Sequence, residues 1–166
     1  GLSPIATFVD LRRFGAVTVR TVTTQPREGH FTLRESWGAG DLGELWRLYR
    51  GALHETDAGW LNAFGWSNIG IERYFEEYFP RTSEQQRILS LGGFGADEFS
   101  ELVERVNSRA KPGELAAVEL NVSCHNVDVD FGAIVEEVLR RAVPASRFPV
   151  IIKLSPDFDY VEHARL

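Results

Sequence analysis

Polar side chains able to do chemistry follow the apolar runs of this sequence at their carboxyl ends. Arg20 and Thr21 come at the end of one run, residues 121–126 (Asn-Val-Ser-Cys-His-Asn) follow another, and Lys153 closes a third. In parallel α/β folds, ligands bind at this end of the strands. Two cations, several amides and hydroxyls, and the only thiol, Cys124, together predict a site for an anionic or amide-rich organic ligand, such as a phosphorylated cofactor.

Each of these side chains also has a purely structural interpretation. A lone cysteine after a strand, such as Cys124, is commonly an inert small hydrophobe. Lys153 lies within the apolar run Val-Ile-Ile-Lys-Leu, where a lysine is costly unless a charge pairs with it. Asn62 also lies in an apolar run and is equally explained as a partner for a backbone group. The residues alone leave both interpretations open.

The elements that must position these residues are strands and helices in alternation. Short, nearly continuous apolar runs predict buried parallel strands over Gly15–Val22, Ala116–Ser123 and Pro149–Ser155. Two weaker candidates for strands are Arg87–Gly93 and the shorter Trp60–Phe64.

Apolar residues three and four positions apart predict helices over Ile69–Tyr78, Asp97–Arg109 and Phe131–Val143, the last with Asp130 as its N-cap. The order of strands and helices, with short connections, predicts right-handed crossovers and a parallel sheet. An open doubly wound sheet and part of a barrel both satisfy this order.

Composition predicts one globular domain over residues 1–166, with a long excursion from the sheet at about 30–58 in which only Gly43–Tyr49 has a helical pattern. The chain of 166 residues is 43% hydrophobic and 25% charged, which is enough apolar material for one core. The formal net charge is -6 and the 18 Lys and Arg residues are scattered, so neither a nucleic-acid groove nor an anionic membrane surface is expected as a partner.

Cysteine and histidine usage bounds the redox and metal chemistry. A single cysteine excludes an intrachain disulfide and a multi-cysteine metal cluster, and the spread of the histidines predicts no metal site. No run approaches a membrane span and no signal-peptide pattern opens the chain. A lone thiol suits a reducing compartment, so we expect a cytoplasmic protein.

Four sequence blocks carry a family resemblance. Residues 119–126, Glu-Leu-Asn-Val-Ser-Cys-His-Asn, resemble the Glu-Leu-Asn-(Leu/Val)-Ser-Cys-Pro-Asn signature of the class 1, cytosolic dihydroorotate dehydrogenases. Residues 15–29 resemble that family's strand and loop Gly-Ala-x-x-x-Lys-(Ser/Thr)-x-Thr-x-x-Pro-Arg-x-Gly, and residues 61–70 resemble its substrate loop Leu-Asn-x-x-Gly-Leu-x-Asn-x-Gly. Residues 150–156 resemble its strand Val-x-(Val/Ile)-Lys-Leu-(Ser/Pro)-Pro. The four blocks occur in the family's order and span most of the chain.

The resemblance implies roughly the first half of a (β/α)8 TIM barrel that carries FMN at its carboxyl face. The implied reaction is oxidation of dihydroorotate to orotate in pyrimidine biosynthesis, with Cys124 as the general base that removes the C5 proton while hydride passes from C6 to the flavin. A thiol suits this role because its reference pKa of about 8.5 is far closer to neutral than that of a hydroxyl.

The resemblance also implies the residues of the site and its partners. The implied substrate contacts are Arg20, Asn62, Phe64, Gly65, Trp66, Asn121 and Asn126. The implied FMN contacts are Arg20, Thr21, Asn121 and Lys153. The electron acceptor stays open between fumarate and NAD reached through a separate iron–sulfur and flavin subunit, and a homodimer is a further expectation.

Two substitutions and the length of the chain depart from the family pattern. Arg20 replaces a lysine, and His125 replaces the proline after the cysteine; a histidine near this position in the related dihydropyrimidine dehydrogenases leaves another dihydropyrimidine as an alternative substrate. A barrel needs about 250 residues, and the family's opening strand and its FMN-phosphate loops have no counterpart in the sequence. We therefore expect a partial barrel that is inactive by itself, with a truncated non-catalytic relative as the third hypothesis.

Overall fold

The computed structural model describes residues 10, 13–29, 50–63, 65–81, 86–124, 127–156 and 159–165. Within these ranges the strands are β1 (Val17–Val22), β2 (Leu53–Thr56), β3 (Gly59–Asn62), β4 (Arg87–Leu91), β5 (Ala117–Asn121) and β6 (Val150–Lys153). The α-helices are α1 (Ile71–Arg73), α2 (Ala96–Arg109), α3 (Phe131–Ala145) and α4 (Tyr160–His163). A π-helical turn (Tyr74–Tyr78) and a 3-10 turn (Phe79–Arg81) continue α1.

The described strands form a parallel sheet in the order β1-β4-β5-β6, with a separate antiparallel hairpin of β2 and β3. Each connection in the larger sheet moves one strand in the same direction, and right-handed crossovers of that kind place the crossover helices α2 and α3 on one face. A doubly wound sheet needs a reversal of direction, which this strand order lacks. The α/β class and the partial barrel predicted from the sequence are therefore confirmed.

The hydrophobic core lies between this sheet and helices α2 and α3. Alternate strand residues turn toward the helices because successive side chains of a strand point to opposite faces. The sheet contributes Val19, Val22, Leu89, Leu91, Val118 and Leu120 to the core, all at most 9% exposed. The helices contribute Phe99, Leu102, Val103, Val106, Phe131, Val135 and Val138.

The helix predictions hold with altered ends. Helix α3 begins after Asp130, whose side chain accepts a hydrogen bond from the Ala133 N–H at 3.1 Å, so the predicted N-cap is confirmed. The helix extends two residues past the predicted end and includes Pro144 in its last turn. The predicted helix Ile69–Tyr78 instead begins at Ile71 and changes to a π-helical turn at Tyr74, which buries Tyr74 and Phe75 against the core.

The strands predicted for the parallel sheet are confirmed, whereas the short candidate at 60–64 belongs to a different type of sheet. The predicted strands shorten to Val17–Val22, Ala117–Asn121 and Val150–Lys153, and the weaker candidate at 87–93 is strand β4. The short candidate at 60–64 is not a buried parallel strand: β3 pairs antiparallel with β2, and its four residues are all exposed. A tight turn at 57–58 makes local pairing available to these residues without the sheet.

The single-domain prediction stays a prediction. Most of the predicted excursion at 30–58, including the helical pattern at Gly43–Tyr49, lies outside the described residues. The described part of that excursion forms strand β2 and the turn that leads into β3. In the described ranges, the helices are too short or too polar for a transmembrane span.

Candidate functional site

A chain of polar side chains crosses the face of the sheet that is turned away from the helices. Thr21 Oγ1 lies 2.9 Å from Ser90 Oγ, and Ser90 Oγ donates to Glu119 Oε1 at 2.7 Å. Asn121 Nδ2 donates to Thr21 Oγ1 at 2.9 Å. Lys153 Nζ lies 3.7 Å from Glu119 Oε1. This polar chain, defined as Thr21, Ser90, Glu119, Asn121 and Lys153, links all four parallel strands near their carboxyl ends.

An irregularity in β1 supports this arrangement. The pairing of β1 with β4 shifts between Val19 and Val22, the position of a β-bulge. A bulge adds one residue to a strand and re-aims the side chains around it. Here two residues, Arg20 and Thr21, lie between the core residues Val19 and Val22. Thr21 accordingly joins the polar chain while Val22 is fully buried in the core.

Arg20 connects the end of β1 to the loop at 65–70. Its guanidinium donates from Nη2 to the Ser67 carbonyl oxygen at 3.2 Å. The sequence block around β1 and the block predicted as a substrate loop are therefore adjacent in space, as expected for one site. The arginine that replaces the family's lysine is partly buried and is held by this contact.

The loop at 65–70 is held in an unusual backbone conformation. Gly65 and Gly70 have φ of 61° and 79°, which glycine adopts without steric cost. Trp66 has φ of 55°, a left-handed conformation that is costly for a bulky side chain. Such a conformation persists only where the surrounding structure enforces it.

Asn68 supplies that enforcement. The Asn68 side chain is fully buried, and its Oδ1 accepts from the backbone N–H of Thr23 at 3.1 Å and of Gly70 at 2.8 Å. Its Nδ2 donates to the Trp66 carbonyl oxygen at 2.7 Å and to Thr23 Oγ1 at 2.9 Å. Asn68 also pairs with Arg27 through their backbones at 2.8 Å in both directions. The loop is thereby fixed to the segment that follows β1.

The Trp66 indole packs over the carboxyl end of β4. Its ring centroid lies 5.8 Å from that of Phe94 and 5.8 Å from that of Phe131. A Cβ at Gly92 would meet Thr21 Cγ2 at 2.8 Å and the Trp66 ring at 3.0 Å, so this position needs glycine for the two side chains to approach. Trp66 thus forms an apolar wall beside the polar chain, and its exposed fraction is 6%.

The predicted base, Cys124, lies three residues after Asn121, the predicted ligand contact on β5. Asn121 Oδ1 accepts from the Ser123 backbone N–H at 3.3 Å and from Ser123 Oγ at 2.9 Å. This turn leads into Cys124, which is partly buried and packs against the hydrophobic core. The thiol thus follows the carboxyl end of β5, close in sequence to Asn121 of the polar chain.

The predicted site residues are brought together unevenly. Arg20, Thr21, Asn121 and Lys153 gather at the end of the sheet, with Gly65 and Trp66 in the loop that Arg20 contacts. Asn62 lies instead at the end of the exposed β2–β3 hairpin, opposite Leu53. Phe64 and Asn126, together with His125, lie outside the described residues.

The expectation that Lys153 lies in a buried strand is wrong. Strand β6 is the last strand of the described sheet, so no described strand pairs with its outer edge. The Lys153 side chain is 46% exposed. The expectation that a charge pairs with it is met by Glu119.

Sequence reasoning missed Asn68, Ser90 and Glu119. Glu119 carried a usable signal, because a glutamate between Val118 and Leu120 in an apolar run poses the same burial cost as Lys153. Asn68 also carried one, since an asparagine two residues before a glycine is typical of an Asx-stabilised turn. Ser90 carried none, because a serine in a strand is unremarkable.

The site offers hydrogen-bond donors and positive charge rather than metal ligands. Arg20 and Lys153 supply two cations against the carboxylate of Glu119, and the amide of Asn121 adds a neutral donor. In the described ranges, no group of three or more His, Cys, Asp or Glu side chains is placed to hold a metal ion. This donor set suits an organic ligand that carries carbonyl oxygens or negative charge.

Comparison with known proteins identifies similar sequences. Residues 50–166 match the family model described as Dihydroorotate dehydrogenase. The chain is 33% identical to the "Dihydroorotate dehydrogenase B (NAD(+)), catalytic subunit" of Desulforamulus reducens, over 95% of this chain and 48% of that protein. Proteins of the same description are 34% identical in Desulforudis audaxviator (92% of this chain, 45% of that protein) and 32% identical in Geobacter metallireducens (96% and 48%). The chain spans about half the length of the curated relatives it matches.

Proposed function

The chain belongs to the dihydroorotate dehydrogenase family, and from this premise we propose that the full-length protein oxidises dihydroorotate to orotate in pyrimidine biosynthesis. The observation that carries the proposal is the contact between Asn121 and Thr21, residues 100 positions apart in the sequence. This contact joins two of the family's sequence blocks at one end of the sheet, directly before Cys124.

The proposed ligand contacts follow from the donors at that end. Asn121 and Arg20 bind the carbonyl and carboxylate oxygens of the pyrimidine, because an amide N–H and a guanidinium donate to such acceptors. By the family resemblance, the backbone of Phe64, Gly65 and Trp66 and the side chain of Asn126 complete the proposed substrate pocket. Asn62, which the same resemblance implies, lies in the exposed hairpin of β2 and β3. The Trp66 indole excludes water from one side of it, which strengthens the polar contacts inside.

Cys124 is the proposed general base. Its thiolate takes the proton from C5 of dihydroorotate, and the electrons of that C–H bond form the C5–C6 double bond of orotate. The hydrogen at C6 leaves with its own bonding electrons as hydride. Partial burial against the core keeps the thiol out of bulk water, and a side chain so held is positioned for proton transfer.

The cationic donor set fits a flavin ring. A flavin presents carbonyl oxygens and a ring nitrogen that gains negative charge on reduction, and Arg20, Thr21, Asn121 and Lys153 supply donors and positive charge for these atoms. When bound there, FMN supplies the acceptor for the hydride from C6.

The partner and location are also proposed. The relatives quoted above are described as catalytic subunits linked to NAD(+), which favours NAD as the final acceptor, reached through a separate electron-transfer subunit. The proposed compartment is the cytoplasm, because a single thiol suits a reducing compartment. A homodimer stays a prediction.

Anaerobic titration of the full-length protein with dihydroorotate tests the proposal. We expect the flavin absorbance band to bleach in the wild type and to stay oxidised in Cys124→Ala, which removes the base. Ser108→Ala is the control, since it removes an exposed hydroxyl on α2, away from the polar chain, and leaves the thiol. If dihydroorotate bleaches the flavin of Cys124→Ala at the wild-type rate, the proposed role of Cys124 is refuted. A full-length protein that purifies without flavin would support the non-catalytic alternative.

A second candidate function is oxidation or reduction of another dihydropyrimidine. The observation that favours it is Arg20, whose guanidinium replaces an ammonium and is bulkier next to the loop at 65–70. Titration with dihydrouracil and dihydrothymine separates the two. Bleaching by either of these, with none by dihydroorotate, would establish the alternative.

A further inference from the structure

Glu119 is a carboxylate placed where a strand is otherwise apolar. Its side chain is 12% exposed, and it lies on buried strand β5 between Val118 and Leu120. A buried carboxylate is costly unless donors and a cation compensate it. The described partners of Glu119 are the Ser90 hydroxyl at 2.7 Å and the Lys153 ammonium at 3.7 Å, both on its Oε1.

A carboxylate at the end of the polar chain fixes the direction of every hydrogen bond in it. An ionised carboxylate only accepts, so the single hydroxyl proton of Ser90 is committed to Glu119. The Thr21 hydroxyl must then donate to Ser90, and it can only accept from the group on its other side. That group is therefore the N–H of Asn121, and the amide orientation of Asn121 follows from the charge on Glu119.

This direction determines what Asn121 offers to a ligand. Its Oδ1 accepts two hydrogen bonds, from the Ser123 N–H and from Ser123 Oγ, so both oxygen lone pairs are used. Its Nδ2 donates one N–H to Thr21, and no acceptor among the described residues takes the second. Asn121 accordingly presents a donor, which selects a ligand atom that accepts, such as a ring carbonyl oxygen.

We propose that Glu119 is a positioning residue, which sets the donor direction of Asn121 through Ser90 and Thr21 and holds the Lys153 ammonium at the carboxyl end of the sheet. The ligand class selected is a ring with carbonyl oxygens, as in a pyrimidine or a flavin. The part that concerns orotate rests on the proposed function. The part that concerns Lys153 does not, because it is a property of the protein alone.

Competitive acetylation tests the hold on Lys153. The chain contains two lysines, Lys111 and Lys153, and Lys111 is exposed at the end of α2, so it serves as an internal control. Full-length protein is treated with limiting acetic anhydride, and the modified fraction of each lysine is read by mass spectrometry. In Glu119→Gln we expect faster modification of Lys153, because its amine is no longer held against a carboxylate, with Lys111 unchanged.

Orotate binding tests the donor direction. We expect the Kd of orotate, read from the flavin spectrum, to rise about tenfold in Glu119→Gln, since glutamine can donate as well as accept and no longer fixes Asn121. Ser90→Ala breaks the link to Thr21 and leaves the ion pair with Lys153. We therefore expect it to weaken orotate binding similarly while Lys153 is modified at the wild-type rate.

The outcomes separate the two proposals. Equal modification of Lys153 in the wild type and in Glu119→Gln overturns the proposed hold, whatever the ligand results are. Wild-type affinity for orotate in both variants overturns the donor direction. A wild-type protein that binds no orotate refutes the proposed substrate, while the acetylation result still decides the role of Glu119.

Discussion

The replacement of Asn68 by alanine should destabilise the protein more than any exposed polar substitution. The side chain makes hydrogen bonds with three buried backbone groups: the N–H of Thr23, the N–H of Gly70 and the carbonyl of Trp66. Asn68 itself is fully buried, so solvent has no direct access to these groups after the change.

The magnitude follows from those three contacts. A buried backbone group that loses its partner costs about 1–3 kcal/mol. At the lower end of this range, the three groups together lower the free energy of unfolding by about 3 kcal/mol. Without Asn68, Trp66 can leave its left-handed conformation, and the backbone strain that is then relieved offsets about 1 kcal/mol of this loss. We therefore expect a net loss of about 2 kcal/mol.

Urea unfolding of the full-length protein, monitored by tryptophan fluorescence, measures this loss in the free energy of unfolding. Asn107→Ala is the matched control: Asn107 also bonds two backbone groups, Ala145 O at 2.8 Å and Arg147 N at 3.0 Å, but at a partly exposed position where water can replace it. We expect the control to lose about 1 kcal/mol. A loss in Asn68→Ala no larger than in the control would refute the claim that Asn68 enforces the loop at 65–70.

Two further outcomes are expected. Gly92→Ala should destabilise the protein by about 1–3 kcal/mol, because the added Cβ overlaps Thr21 and Trp66, whereas Gly15→Ala has nothing within 4 Å to meet; thermal unfolding of both variants checks this, and equal melting temperatures would contradict it. Burial raises the pKa of Tyr74 above its usual 10.0, so the neutral hydroxyl stabilises the fold below pH 10 and this contribution is lost as the pH rises further. Urea unfolding at pH 8 and above pH 10 should show a smaller alkaline loss in Tyr74→Phe than in the wild type, and an equal loss would exclude Tyr74 as its source.

The strand and helix positions were largely predictable because local patterns encode them. The runs at 15–22, 116–123 and 149–155 contain the residues of β1, β5 and β6, and the period of apolar residues located α2 and α3 within two residues of their ends. The hairpin of β2 and β3 was not predicted, because alternation alone does not say which strand a short run pairs with.

The candidate site was predictable in part, through residues that end the strands. Arg20, Thr21, Asn121 and Lys153 were identified from their positions and from family motifs, and the structure gathers them. Asn62 was placed in the same set by motif alone, and the structure puts it in the exposed hairpin.

The sequence by itself determined the order of elements, the apolar faces that bury the core and the family to which the chain is similar, since each of these depends on residue types at short spacings. The tertiary structure decided which polar residues meet. Ser90 and Glu119 are 29 positions apart, and Asn121 lies 100 positions from Thr21, so only the parallel pairing of β1, β4, β5 and β6 brings them within hydrogen-bond distance. The direction of that polar chain, and hence the donor that Asn121 offers, depends on a buried charge whose partners no local pattern specifies.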